Sequence, residues 1–180
     1  ITYNQHTAAL IPFDFNVRNF NVKIGFRWDY YHFNDILLDV GNSEWNAYNK
    51  LRNAHYLTYR ADVDYNSENK WYFPIRGAKF HAGYGYYTDN LLGYDGGVGI
   101  HAVNAMWRMS FPLSSRLTLQ PMTYGRLVFG DNVPVPLKTV IGGNWFGHYF
   151  EDRHLPFAGV GSIEYVENKF IALQLQLQER

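Results

Sequence analysis

Phe20-Asn21-Val22-Lys23-Ile24-Gly25-Phe26-Arg27-Trp28-Asp29-Tyr30 places an apolar residue at every even position and Asn, Lys, Gly, Arg or Asp at every odd one. Successive side chains of a β-strand point to opposite faces, so this stretch has one apolar, aromatic-rich face and one charged face. The rhythm returns in Leu57–Tyr65, Ala78–Tyr86, Val103–Phe111, Leu117–Phe129 and Ile171–Gln178. Large aromatics on one face and ionic groups on the other suit a membrane β-barrel with a wet lumen.

Composition points the same way. Phe, Trp and Tyr make up 18% of 180 residues, yet mean hydropathy is only -0.32. A transmembrane helix needs about 20 successive apolar residues, and the chain has no such run. Alternation hides the hydrophobicity of barrel strands from any hydropathy window. Sixteen basic and sixteen acidic residues balance, so there is no basic field to hold a nucleic acid. Cysteine is absent, which removes disulfides, thiolate ligands and cysteine nucleophiles. The chain opens at Ile1 with no Met, basic n-region or apolar h-region, so any export signal is expected to lie outside this sequence, and the chain reads as a piece of a longer protein.

Along the chain the residues predict an all-β, antiparallel up-and-down transmembrane barrel segment over 1–180, with about seven to nine strands and no second domain. Residues 1–19 are ambiguous, with a turn after Pro12. His32–Asp35 reads as a polar break, 36–40 as a short strand and 41–53 as a loop. Asn66–Lys70 is a turn. Residues 89–97 form a Gly-rich connection, and Pro121 should cost a ladder bond or mark a bulge. Residues 130–156 form the longest irregular stretch, the kind of loop that carries function. A last hairpin runs from Pro156–Val166 through Glu167-Asn168-Lys169 into the Leu/Gln alternation that ends the chain.

Periodicity cannot say which face meets solvent. Three details favour lipid on the apolar side: Tyr and Trp in the apolar rows suit headgroup depth, opposite charges in the polar rows can pair across a lumen, and segments of about 9 to 11 residues match tilted membrane strands. Phe26, Trp28, Tyr59, Phe80, Trp107, Leu173 and Leu175 are then expected to face lipid. Arg27, Asp29, Arg60, Asp62, Arg108 and Arg126 are expected to face the lumen, as a structural charge network rather than a solute-selective path.

Two motifs carry a family resemblance. Tyr72-Phe73-Pro74-Ile75-Arg76-Gly77-Ala78 resembles the Phe-Pro-x-x-Gly motif that opens a strand in the bacterial surface-antigen superfamily, the barrels of outer-membrane assembly factors. Pro134, Pro136, Ile141-Gly142-Gly143 and Leu155-Pro156-Phe157-Ala158-Gly159 resemble that superfamily's long sixth loop, in a version similar to the barrel behind patatin-like phospholipase domains of Bacteroidota. The resemblance implies a sixteen-stranded barrel in the bacterial outer membrane, in contact with membrane lipids and an assembly complex. It implies a lumen loop in which Gly142, Gly143, His148 and Arg153 take part. The chain departs from the pattern at the loop tip, where Phe146-Gly147-His148-Tyr149 has His148 in place of an arginine. Either His148 locks the loop more weakly, or Arg153 does, or the loop has no such role. The C-terminal strands of the family are also missing.

Chemical sites read weakly. Asp95-Gly96-Gly97 matches a patatin aspartate motif, but Gly159-Val160-Gly161-Ser162 has the wrong spacing for a nucleophile elbow, so Asp95 reads as a turn. His148, Glu151, Asp152 and His154 have metal-ligand chemistry without an established ligand spacing. His81 and His101 are placed along the lumen or at a membrane boundary. No catalytic residue, metal or cofactor is expected. The reading is an outer-membrane barrel that anchors or displays a periplasmic patatin-like domain or assists membrane-protein assembly. Its rivals are a complete small barrel of about eight strands, acting as a pore or structural protein, and a soluble β-domain binding lipid or sugar.

Overall fold

A computed structural model describes residues 2–35, 53–70, 73–90, 99–142, 154–155, 157 and 165–179. Seven long strands form one antiparallel sheet: β1 (Thr2–Val17), β2 (Phe20–Asp35), β3 (Ala54–Asn66), β4 (Gly77–Thr88), β5 (Gly99–Pro112), β6 (Leu117–Phe129) and β10 (Lys169–Glu179). Their spatial order is β1-β2-β3-β4-β5-β6-β10. Between β6 and β10 a 3-10 turn, Val135–Leu137, leads to a small second sheet of β7 (Thr139–Ile141), β8 (His154–Leu155) and β9 (Tyr165–Glu167). The chain is therefore all-β and up-and-down. Among the described residues β1 and β10 are edges, so the long sheet is not closed.

Several boundaries differ from the sequence reading, each for a tertiary reason. The ambiguous N-terminal stretch is a 16-residue strand, because β2 offers it a partner along its whole length. Its ladder shifts register between Leu10 and Phe13, where Pro12 lacks a donor N–H and an extra residue is accommodated as a bulge. The turn lies at Arg18–Asn19 instead of after Pro12. His32–Asp35 continues β2 rather than breaking it. Pro121 causes no bulge: the β5–β6 pairing lapses between Arg108/Met122 and Phe111/Leu119 and resumes in the same register. The expected final hairpin is also corrected. β10 pairs with β6 from Lys169/Leu127 to Glu179/Leu117, while β9 pairs with β7. The expected short strand at 36–40 lies outside the described residues.

The sheet has two unlike ends. At one, strands are joined by the connections 18–19, 67–76 and 113–116; at the other, by 36–53, 89–98 and 130–168. The described parts of the 67–76 connection, 67–70 and 73–76, are tied to each other and to β4. Ser67 N–H donates to the Ala78 carbonyl (2.9 Å) and Asn69 N–H to the Arg76 carbonyl (3.1 Å). The Ser67 hydroxyl accepts from Ala78 N–H at 3.0 Å. Gly77 closes this connection with φ +110°, and a Cβ there would collide with the Ser67 carbonyl. Only glycine meets both requirements cheaply.

Candidate functional site

The two faces of the long sheet differ in what covers them. On β5 and β6 the polar-row residues Asn104, Ser110, Thr118, Gln120 and Arg126 are buried, whereas Val103, Trp107, Phe111 and Phe129 are exposed. Arg126 is 1% exposed and Leu173 81%. Soluble sheets bury the apolar row and wet the polar one; this sheet does the reverse.

Contacts that bury the polar face come partly from connections folded over it. At the short-connection end, Arg108 makes a bidentate pair with Glu68 through Nε and Nη2, both at 2.7 Å. Gln120 Nε2 donates to the Pro74 carbonyl at 2.7 Å and to Ser110 Oγ at 3.0 Å. Ser110 and Gln120 lie within the lapse beside Pro121, so a side-chain bond joins β5 and β6 where the ladder does not. At the other end, Arg126 Nη1 donates to the Leu137 carbonyl (3.0 Å) and Thr139 Oγ1 (3.1 Å). Leu137 packs with Val133 into a cluster with Tyr31, Tyr56, Tyr87, Ile100, Ala102 and Val128. The polar face is thus not polar throughout: near the long connections it turns apolar where a loop lies on it.

Between these two covers runs a chain of ion pairs and hydrogen bonds. Asp29, 1% exposed, accepts from Gln5 Nε2 (2.8 Å), Thr7 Oγ1 (2.7 Å) and Arg27 Nε (3.0 Å). Arg60 Nη2 donates to Asp62 at 3.0 Å. His81 stands between Asp64 at Nδ1 and Asn104 at Nε2, each at 2.8 Å. The ring is thus held on both sides, by a carboxylate at Nδ1 and by an amide at Nε2. Gly83 sits between Asp62 and Asn104, and a Cβ on it would lie 2.5 Å from Asn104 Oδ1. The buried carboxylates, Asp29 and Asp62, are tolerable only when paired or hydrogen-bonded, and both are paired with arginine.

The opposite face is a set of aromatic ladders. Register joins Phe20, Tyr65, Phe80 and Trp107 in one row and Phe26, Tyr59, Tyr86, His101 and Phe129 in another. Phe20 and Tyr65 ring centroids are 4.7 Å apart, Phe26 and Tyr59 5.4 Å, and Tyr86 and His101 4.9 Å. Two rows of mostly aliphatic residues, through Val22 and Ile24, lie between them. The ladders are therefore about 20 Å apart along the strands, at roughly 3.3 Å per residue.

Of the residues singled out from sequence, Arg27, Asp29, Arg60, Asp62, Arg108 and Arg126 fall on the covered face. Phe26, Trp28, Tyr59, Phe80, Trp107, Leu173 and Leu175 fall on the bare one and are all exposed. His81 and His101 lie on opposite faces, His101 beside Tyr84 at 2.7 Å. Gly142 has φ +134° just after β7. Gly143, His148 and Arg153 lie outside the described residues, as do Asp95, Glu151 and Asp152. Sequence reasoning missed Glu68, Pro74, Leu137 and Thr139, the loop partners of the sheet's Arg108, Gln120 and Arg126. Glu68 is 40 residues from Arg108, and no local pattern signals such a pair.

In comparisons with known proteins, no family model, no curated protein and no solved structure matches the chain.

Proposed function

We propose that this chain is part of an outer-membrane β-barrel whose aromatic face meets hydrocarbon and whose covered face lines a filled lumen. The observation that carries the reading is the inverted burial: Asp29, Thr118, Gln120 and Arg126 are buried while Phe20, Trp107, Ile171, Leu173 and Leu175 are exposed. Soluble monomers rarely expose contiguous apolar patches beyond a few hundred Å2. In lipid each large apolar side chain on that face contributes about 1.5–3 kcal/mol. Strands of 11 to 16 residues are long enough for a tilted crossing. Barrels of this kind keep short turns on the periplasmic side and long loops outside; connections 18–19 and 113–116 are the short ones, which supports a periplasmic position for the end of the sheet that also carries 67–76.

Together with the Phe73-Pro74-Ile75-Arg76-Gly77 and Leu155-Pro156-Phe157-Ala158-Gly159 motifs, this supports a surface-antigen-type barrel of sixteen strands that anchors or displays a patatin-like periplasmic domain, or assists assembly of other outer-membrane proteins. The paired polar network favours an anchor over an open pore. The test is reconstitution: the chain should float with phosphatidylcholine vesicles, resist carbonate extraction and shift on a gel when boiled. A monomer that stays in solution without detergent would exclude the outer-membrane reading and leave the lipid- or sugar-binding β-domain in its place.

A further inference from the structure

We infer that the cleft between the β3–β4 connection and the β5–β6 turn binds the phosphate of an anionic phospholipid headgroup, a reading that rests on the membrane placement proposed above. The cleft encloses about 340 Å3 and is lined by Asn69, Ile75, Arg76, Pro112, Ser114 and Ser115. Its polar lining is rich in donors. Arg76 is exposed and offers a planar guanidinium suited to bidentate phosphate recognition. The Asn69 Oδ1 accepts from Ile75 N–H (3.1 Å) and Arg76 N–H (3.2 Å), which orients its amide nitrogen as a donor. Ser114 Oγ accepts from Arg116 N–H and Leu117 N–H, at 3.2 and 3.1 Å, so the turn carrying Ser115 is fixed in place. No carboxylate is among the lining residues. Glu68, the acidic residue of connections 18–19, 67–76 and 113–116, is bound to Arg108 on the covered face.

The surroundings select a lipid over a free anion. Arg18, Lys70 and Arg116 stand on the same three connections, giving this end of the sheet a positive excess that attracts an anionic leaflet. Phe73 and Leu113, on the two connections that form the cleft, are 66% and 59% exposed. Ile75 and Pro112 extend apolar surface into the cleft itself. A site for soluble phosphate needs no such flank, whereas a headgroup brings acyl chains that cover it.

Native mass spectrometry of the full chain in detergent, titrated with short-chain phosphatidylglycerol or with the phosphate-free diacylglycerol of the same chains, reads this directly. Phosphatidylglycerol should be retained about tenfold more strongly, the value of one charge-assisted contact. Arg76→Gln combined with Ser115→Ala should abolish that preference, while Arg18→Gln, outside the cleft, should change it less than about twofold. Equal retention of the two lipids by the unaltered chain overturns the inference, as does equal loss in both variants. Full displacement of phosphatidylglycerol by equimolar inorganic phosphate overturns the lipid assignment. Failure to enter phosphatidylcholine vesicles removes the membrane reading and this site with it; entry without a phosphatidylglycerol preference removes the site alone.

Discussion

The two faces of strand β5 carry opposite lessons about burial. On one, Ala102, Asn104, Met106 and Ser110 are buried; on the other, Val103, Trp107 and Phe111, drawn from the same fourteen residues, are 40–41% exposed. In a water-soluble sheet that arrangement would forfeit the hydrophobic term that drives folding. It is favourable when the exposed face has a non-aqueous neighbour and the polar face has its own partners. The polar face has them in Glu68, Pro74, Leu137 and Thr139, reached by connections at each end. One face is therefore completed by the chain itself; on the proposed membrane reading, lipid completes the other.

The contrast breaks most sharply at Val103. Val103→Arg adds a charge to a position already exposed, so in water it should alter stability by less than about 0.5 kcal/mol. Near the middle of a bilayer the same change costs about 2–4 kcal/mol. Denaturant unfolding of the chain refolded into vesicles measures which applies, and the larger value is expected.

On the covered face, Arg126→Met keeps side-chain bulk and removes the donor to Leu137 and Thr139. The expected loss is about 2–3 kcal/mol, since two buried acceptors lose their partner. Limited proteolysis should then cut within 130–139 while the strands stay intact. Cleavage no faster than in the unaltered chain would mean that the Leu137 cluster holds this segment without the arginine.

Glu68→Gln sharpens the comparison at the other cover. It leaves an acceptor for Arg108 but cancels the carboxylate of the bidentate pair. Arg108's side chain is 19% exposed, so water compensates part of the loss and about 1–2 kcal/mol is expected. The same unfolding measurement checks it, and it should rank below Arg126→Met.

The strands and their faces were legible in the residues because alternation is a local property: Phe20–Tyr30 states both faces within eleven residues. Thr2–Val17 was less so. Pro12 and the Asn/Asp content suggest a turn, and only the partner strand β2 overrides them. Pro121 was read correctly as a cost to the ladder but not as a lapse without a bulge, because the Ser110–Gln120 contact that bridges it depends on two strands meeting in register.

What the sequence alone determined, then, is a set of two-faced antiparallel strands with the charges on one side and the aromatics on the other. Which side is covered, by which loops, and which arginine holds each loop were decided by tertiary structure. Arg108 meets Glu68 and Arg126 meets Leu137 only after strands distant along the chain have paired, and such long-range contacts leave no periodic trace in the residues that make them.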